Sequence, residues 1–188
     1  MRTGSTELCA LDAESAPLLA RWKSDPAVNI YWADRRPTSA AEQAAWLAQM
    51  QADRTVETFG IAASGRGLVG YVQLFNIDHV NRRAEFRILI GEPECWGKRH
   101  GSEATYLTLL YAFEHLNLNK VSLRVLDFNE RALRCYRRIG FHEDGVLRED
   151  WYRYGRYVDQ ILMCITAAEF RAAHRERAVP AALEGGGR

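Results

Sequence analysis

Arg82-Arg83-Ala84-Glu85-Phe86-Arg87-Ile88-Leu89-Ile90-Gly91-Glu92-Pro93-Glu94-Cys95-Trp96-Gly97-Lys98-Arg99-His100-Gly101-Ser102 is the stretch whose reading decides how this chain folds. From Phe86 to Ile90 it is apolar and β-prone, which predicts a buried strand. A loop carrying Gly91, Pro93, Gly97 and Gly101 follows, and then a helical segment from Ser102 to about Leu116. A strand that turns through glycines into a helix leaves unpaired backbone N–H groups and the positive end of a dipole facing one place, which suits a phosphate. Lys98, Arg99 and His100 crowd the same turn, so the expected ligand is anionic and bears phosphate.

The flanking sequence narrows that ligand. A Walker ending of Gly-Lys-Ser/Thr is absent, as is an acidic residue placed to hold a ribose. After a predicted strand, Val121 to Leu126, comes Asn129-Glu130-Arg131-Ala132-Leu133-Arg134-Cys135-Tyr136-Arg137-Arg138-Ile139-Gly140-Phe141. This Asn-x-x-Ala-x-x-x-Tyr-x-x-x-Gly-Phe string, coupled to the strand, turn and helix before it, resembles the acetyl-CoA-binding core of the GNAT acetyltransferase superfamily.

Length and composition are consistent with one domain. The chain has 188 residues, 47% of them apolar and 26% charged, enough for a single well-buried core. Residues 1–178 are expected to form that domain and 179–188, with Gly185, Gly186 and Gly187, a frayed tail. A formal charge of +1 provides no general basic field, which argues against nucleic acid as a partner. Cys9, Cys95, Cys135 and Cys164 are scattered, and no apolar run reaches membrane length, so they read as reduced thiols of a cytoplasmic protein that does not engage a membrane. Cys95, Cys135, His100 and His142 show no metal-ligand spacing, and no metal is expected.

Along the chain, Thr6 to Leu11 reads as a strand and Asp12 as the cap of a helix reaching Lys23, stopped by Asp25-Pro26. Ser39 and Glu42 form a capping box ahead of a second helix, and Thr166 and Glu169 another near the end. Gly65-x-Gly67-x-x-Gly70 matches a dinucleotide fingerprint by letter, but Leu68 to Phe75 is strand-like, so the glycines predict a hairpin turn. Strands near Phe141 to Leu147 and Tyr157 to Ile165 enclose a polar aromatic hairpin, Arg148 to Arg156. Elements alternate without a strict βα repeat. The predicted class is α/β: a mixed, mostly antiparallel sheet of about seven strands flanked by helices.

The likeness sharpens toward one group. Tyr31-Trp32 followed by Pro37, the run Asn76 to Phe86, and Gly155-x-Tyr157 before Ile161-x-Met163-Cys164-Ile165 look like the bacterial spermidine acetyltransferases, over about Thr6 to Ile165. That resemblance implies acetyl transfer from acetyl-CoA to a primary amine, with the cofactor wedged where the fourth strand, Glu85 to Ile90, splays from the fifth, Val121 to Leu126. It implies that Ile88 and Ile90, with Leu89 between them, pair their backbone with the pantetheine arm. Trp96, Gly97, Lys98, Arg99, His100, Gly101 and Ser102 would hold the pyrophosphate, and Asn129 and Arg134 would also bind the cofactor. It further implies a homo-oligomer, since relatives assemble into rings.

An alkyl ammonium must lose a proton before it attacks a thioester, and Glu85 is the candidate base; otherwise it is a strand-edge partner of Arg82, Arg83 or Arg87. Tyr136 matches the family's acid for the departing thiolate, the alternative being a buried structural tyrosine. Asn129 serves equally as a helix cap. The acceptor is expected to meet Tyr31, Trp32, Asp34, Arg35, Arg36, Glu85 and Trp151.

Two departures stand out. Arg99 occupies a phosphate-turn position where a small residue, commonly glycine, is usual, and its side chain either adds a phosphate contact or crowds the backbone approach. Where polyamine acetyltransferases carry a run of carboxylates after the Tyr-Trp pair, this chain reads Asp34-Arg35-Arg36, which repels a polycation and suits an acceptor bearing phosphate or carboxylate, such as an amino-sugar nucleotide or amino acid derivative. Two other readings remain: a protein N-terminal acetyltransferase of the ribosomal type, and a non-catalytic acyl-CoA-binding module.

Overall fold

A computed structural model describes residues 1–32 and 36–175. Asp34, Arg35 and the tail 179–188 therefore lie outside the described residues. The elements, in chain order, are β1 (Arg2–Thr3), β2 (Thr6–Cys9), α1 (Ala16–Ser24), α2 (Pro26–Asn29), α3 (Ala40–Ala52), β3 (Glu57–Ala63), β4 (Gly67–Asp78), β5 (Arg83–Ile90), α4 (His100–Leu110), β6 (Lys120–Leu126), α5 (Glu130–Ile139), β7 (His142–Arg153), β8 (Arg156–Thr166) and α6 (Ala167–Ala173). The strands make one eight-stranded sheet in the order β1-β2-β3-β4-β5-β6-β8-β7. Every neighbouring pair is antiparallel except β5 and β6.

The helix starts follow their sequence signals. Both capping boxes form, with Ser39 and Thr166 accepting from the backbone of Glu42 and Glu169. Asp12 caps a single 3-10 turn, Ala13–Ser15, before α1 begins. Asp25-Pro26 ends α1 and also opens α2, because Asp25 accepts from Ala27 N and Pro26 needs no N–H at a first helical position. The long helix predicted from Ser102 is regular to Leu110 and finishes in a π turn, Tyr111–His115. Gly65 and Gly67, at φ +75° and +74°, make the β3–β4 turn, and Gly70 lies inside β4. The last hairpin is longer than the sequence suggests: β7 runs to Arg153, Tyr154 and Gly155 make the tip, and the Tyr152 and Tyr157 rings pack across it 5.2 Å apart.

Two apolar layers sandwich the sheet. Phe86, Leu107, Phe113, Val121, Leu133, Tyr136, Met163 and Phe170 belong to one, under α4, α5 and α6. Leu19, Trp22, Val28, Leu47, Tyr71 and Leu89 belong to the other, under α1 to α3. Side chains alternate along a strand, so Ala84, Phe86, Ile88 and Ile90 face the first layer while Glu85, Arg87 and Leu89 face the second. Gly91 is required at the end of β5: a Cβ there would meet Cγ of Trp22 at 2.0 Å, and Trp22 is only 1% exposed.

Candidate active site

The site begins as a failure of pairing. Strands β5 and β6 run parallel through only Arg83↔Lys120, Ala84↔Val121 and Glu85↔Ser122, and no ladder joins them beyond Glu85. Strand β4 stays paired with β5 up to Ile90. Gly91 N donates to Val69 O at 2.9 Å, so Gly91, and with it Leu89 and Arg87, directs its peptide groups toward β4. By the same alternation, Phe86, Ile88 and Ile90 direct theirs into the gap. Two contacts agree: Ser122 Oγ reaches Ala84 O, and Trp96 Nε1 donates to Ile90 O at 2.9 Å. Polar main chain is thus presented inside a sheet, where it needs a partner.

A cleft of about 1000 Å³ fills this gap. Ile88, Leu89 and Ile90 line one wall, Asn129, Arg134 and Tyr136 another. Asn129 caps α5 by accepting from Ala132 N at 3.2 Å, which agrees with its reading as an N-cap, and it also touches the cleft. At the far end, Gly97 (φ +76°) and Arg99 (φ +70°, ψ −9°) take left-handed conformations and launch α4, whose N-terminus has no side-chain cap. Among the described residues no side chain caps the start of α4, and Trp96, Gly97, Arg99, His100, Gly101 and Ser102 all border the cleft.

Within this turn the structure redistributes the basic cluster read from sequence. Lys98, flanked by two left-handed residues, is exposed and does not line the cleft, whereas Arg99 does. His100 is buried, with Nδ1 2.9 Å from Thr6 Oγ1, so its imidazole ties α4 to β2 instead of joining Lys98 and Arg99 over the turn. Ser102 Oγ donates to Arg99 O at 2.8 Å, bracing that conformation.

Glu85 stands where β5 and β6 part, on the face toward α1 to α3, with its side chain 29% exposed. None of the arginines expected from sequence pairs with it. Arg82 bonds Asn117, Arg83 pairs with Asp78, and Arg87 donates to Gln73 Oε1. Its partners are Asn76 Nδ2 at 2.9 Å and, from across the gap, Arg124 Nε at 3.9 Å. Asn76 reaches it because β4 breaks register between Phe75 and Asp78.

Tyr136 is 8% exposed and packs edge-on against Phe86 and obliquely against Phe141, with ring centroids 6.2 and 5.7 Å away. Burial, helped by the neighbouring Cys135, pushes its phenol well above the ordinary tyrosine range. A hydroxyl of this kind keeps its proton until a strong base appears beside it. Burial also raises the Cys135 thiol to about 11, so it is not a thiolate nucleophile at neutral pH.

On the other side of the cleft stand Tyr31, Trp32, Arg36 and Trp151, with Phe75 and Trp46. Arg36 is held 2.7 Å from Glu42. Three arginines on this side of the cleft had no role in binding acceptor or cofactor in the sequence reading, and Arg138, also lining the cleft, is a fourth. Arg87, two residues from Glu85 on the same face, lies 4.8 Å from the Phe75 ring and 5.8 Å from Trp32. Arg131 lies 3.8 Å from the Trp96 ring and 5.5 Å from Tyr31. Arg124 is the third. The i, i+2 spacing of Glu85 and Arg87 was the available signal. Among the described residues, eight Lys and Arg side chains line the cleft against two carboxylates, Glu42 and Glu85, each paired with an arginine.

A family model described as "Acetyltransferase (GNAT) domain" matches residues 6–142. The chain belongs to the GNAT acetyltransferases. It is therefore an acetyl-CoA-dependent N-acetyltransferase, and the gap between β5 and β6, with the uncapped start of α4 beyond it, fits a thioester ligand that carries a diphosphate. The acetyltransferase is 32% identical over 171 residues to the spermidine N(1)-acetyltransferase of Escherichia coli K12, covering 91% of each chain. To the spermidine N(1)-acetyltransferase of Vibrio cholerae it is 35% identical over 118 residues, 63% of this chain and 68% of that one. The crystal structure of spermidine N-acetyltransferase from Vibrio cholerae in complex with CoA and spermine superimposes with a TM-score of 0.83 at 28% identity, covering 89% of this chain and 99% of that one.

Proposed function

We propose that this acetyltransferase acetylates a primary amine of a small molecule that also carries an anionic group, by direct attack within a ternary complex. The observation that carries the acceptor assignment is the charge of the cleft. A diphosphate at the start of α4 would be answered by Arg99, Arg134 and Arg138, which leaves Lys23, Arg36, Arg87, Arg124 and Arg131 around the acceptor side against Glu42 and Glu85. A polycation would enter against that field, while an acceptor with a phosphate or carboxylate would be drawn toward Arg87 with its amine near Glu85.

Acetyl-CoA supplies the activated acetyl group. An alkyl ammonium titrates near 10.4, so at pH 7 roughly one in 10³ is free base, and Glu85, directly or through water, takes the proton. Asn76 and Arg124 fix the carboxylate for that role. The main chain of Ile88 faces the gap and can donate to the acetyl oxygen as charge develops there. Tyr136 shares its hydroxyl proton with the departing sulfur, and the second proton that the nitrogen sheds as the amide forms restores the phenol, so no tyrosinate is left behind. The high pKa of Cys135 supports direct transfer over an acyl-cysteine route. Positioning of amine and thioester, worth roughly 7–11 kcal/mol, outweighs either proton transfer, at about 10²–10⁴-fold.

Free thiol would be followed with acetyl-CoA and a panel of acceptors: polyamines, amino-sugar nucleotides, amino acid derivatives and N-terminal peptides. The expected result is turnover with anionic amines and weak turnover with spermidine. Spermidine turning over fastest would replace the anionic reading with the polyamine acetylation named for the relatives. Preference for peptides would favour the N-terminal acetyltransferase, and CoA binding without thiol release from any acceptor would favour the binding module.

A further inference from the structure

The cysteines and histidines of this chain have no metal-binding spacing in sequence, yet the fold assembles a ligand set across two strands. His142 opens β7 and sits directly opposite Cys164 of β8, and Asp144 follows where β7 slips register between Glu143 and Gly145. Cys164 Sγ lies 3.2 Å from His142 Nε2 and 3.1 Å from Asp144 Oδ1, and those two atoms are 3.7 Å apart. With metal bonds of roughly 2.0–2.3 Å to oxygen, nitrogen and sulfur, the edges of a tetrahedral zinc site are about 3.3–3.6 Å, so the three atoms need to move only by tenths of an ångström.

We infer that His142, Asp144 and Cys164 form a binding site for a divalent transition-metal ion of the zinc class. The surrounding shell is arranged as such sites require. The second ring nitrogen of His142, Nδ1, lies 3.6 Å from Glu169 Oε1, a few tenths of an ångström from the carboxylate–histidine hydrogen bond that would present Nε2 to a metal. Glu169 is itself held by Thr166 N and Oγ1 at 2.8 and 2.6 Å. Lys120 Nζ bonds Asp144 Oδ2 at 2.7 Å, leaving Oδ1 turned toward the thiol. Binding breaks the Cys164 S–H bond, forms a sulfur–metal bond and passes the proton to solvent. The thiolate, Asp144 and Glu169 then set three negative charges against Lys120, a balance that a divalent cation neutralises. Cys164 is buried while His142 and Asp144 are exposed, so the fourth position opens to water. A mixed sulfur, nitrogen and oxygen set selects zinc, cobalt or nickel over magnesium or calcium. None of the three residues lines the acetyl-transfer cleft, so the site stands or falls independently of the proposed acceptor.

The test is titration of the untagged, metal-free full chain with Co²⁺, followed by absorbance. One equivalent should produce a thiolate-to-cobalt charge-transfer band with the visible bands of tetrahedral cobalt, and Zn²⁺ should erase both. Cys164→Ser should abolish the charge-transfer band, and Cys9→Ser, at a half-buried thiol on another strand, should leave it intact. His142→Gln, at an exposed position where folding is not at risk, should weaken binding at least 10-fold, and Glu169→Gln by about 10–100-fold. Absence of a band with excess Co²⁺, a band that survives Cys164→Ser, or unchanged affinity in His142→Gln would each overturn the assignment.

Discussion

Arg99→Gly is expected to make the acetyltransferase more stable and bind CoA more weakly, and both magnitudes follow from the turn ahead of α4. Arg99 sits at φ +70°, a left-handed conformation that costs an L-residue roughly 1–2 kcal/mol and glycine nothing. Glycine returns about 0.4–1 kcal/mol of that through the entropy of the unfolded chain. The net gain is of order 0.5–1 kcal/mol, a rise in Tm of about 1–4 °C for a chain of this size. The same substitution removes a guanidinium from the cleft mouth. Hydrogen bonds to a charged group contribute roughly 1.5–3 kcal/mol, and at an exposed position the lower end applies, so Kd for CoA should rise about 10-fold. Arg99→Ala separates the two effects: it loses the guanidinium and keeps the left-handed strain, so it should show the affinity loss without the Tm gain. Calorimetric titration of CoA and thermal melts of the three proteins decide it. Unchanged affinity in both variants would refute the phosphate contact, and a lower Tm in Arg99→Gly would refute the strain argument.

Tyr136→Phe should lower kcat by about 10²–10⁴-fold while leaving CoA affinity within a factor of two or so, measured by thiol release and calorimetry; unchanged kcat would remove Tyr136 as the acid. Gly91→Ala would drive a methyl group into the buried Trp22 ring and should cost about 1–3 kcal/mol, read as a lower urea midpoint with an unchanged slope. Glu42 is held down to about 2 by Arg36 and then by the Ser39 backbone and hydroxyl, against an ordinary value of 4.5. A depressed acid stabilises the fold fully above 4.5 and loses that contribution as pH falls toward 2. Glu42→Gln should therefore make the melting temperature fall less steeply than the parent's between pH 4.5 and 2, the remaining slope coming from Asp53, Asp78, Asp144 and Glu169, which are also held below their ordinary values.

The parts of the site that were legible in sequence are those built from consecutive residues. A strand, a glycine-bearing turn and a helix start are local objects, and so are an N-cap at Asn129 and two capping boxes. Ile88, Ile90 and Tyr136 were singled out by the family resemblance laid over those objects, and all three line the cleft. What could not be read was pairing at a distance. Arg124 meets Glu85 because β6 starts beside β5 and then diverges, and nothing near Glu85 in sequence distinguishes Arg124 from the three arginines around it. Asn76 depends on a slip in β4, and His100 on the hydroxyl of Thr6, far away in the chain. Insertion of β8 between β6 and β7 likewise sets His142 opposite Cys164, a meeting that spacing rules for metal sites do not describe.

The peptide groups that Phe86, Ile88 and Ile90 turn into the gap have one further consequence. A grip made by main chain is indifferent to which side chains hang from it, so donor recognition can persist while Glu85, Arg87 and their neighbours on the opposite face are exchanged. Such a division lets one scaffold be retuned from one nucleophile to another without rebuilding the acyl-donor berth, and it locates the residues to vary first in any attempt to redirect this catalyst.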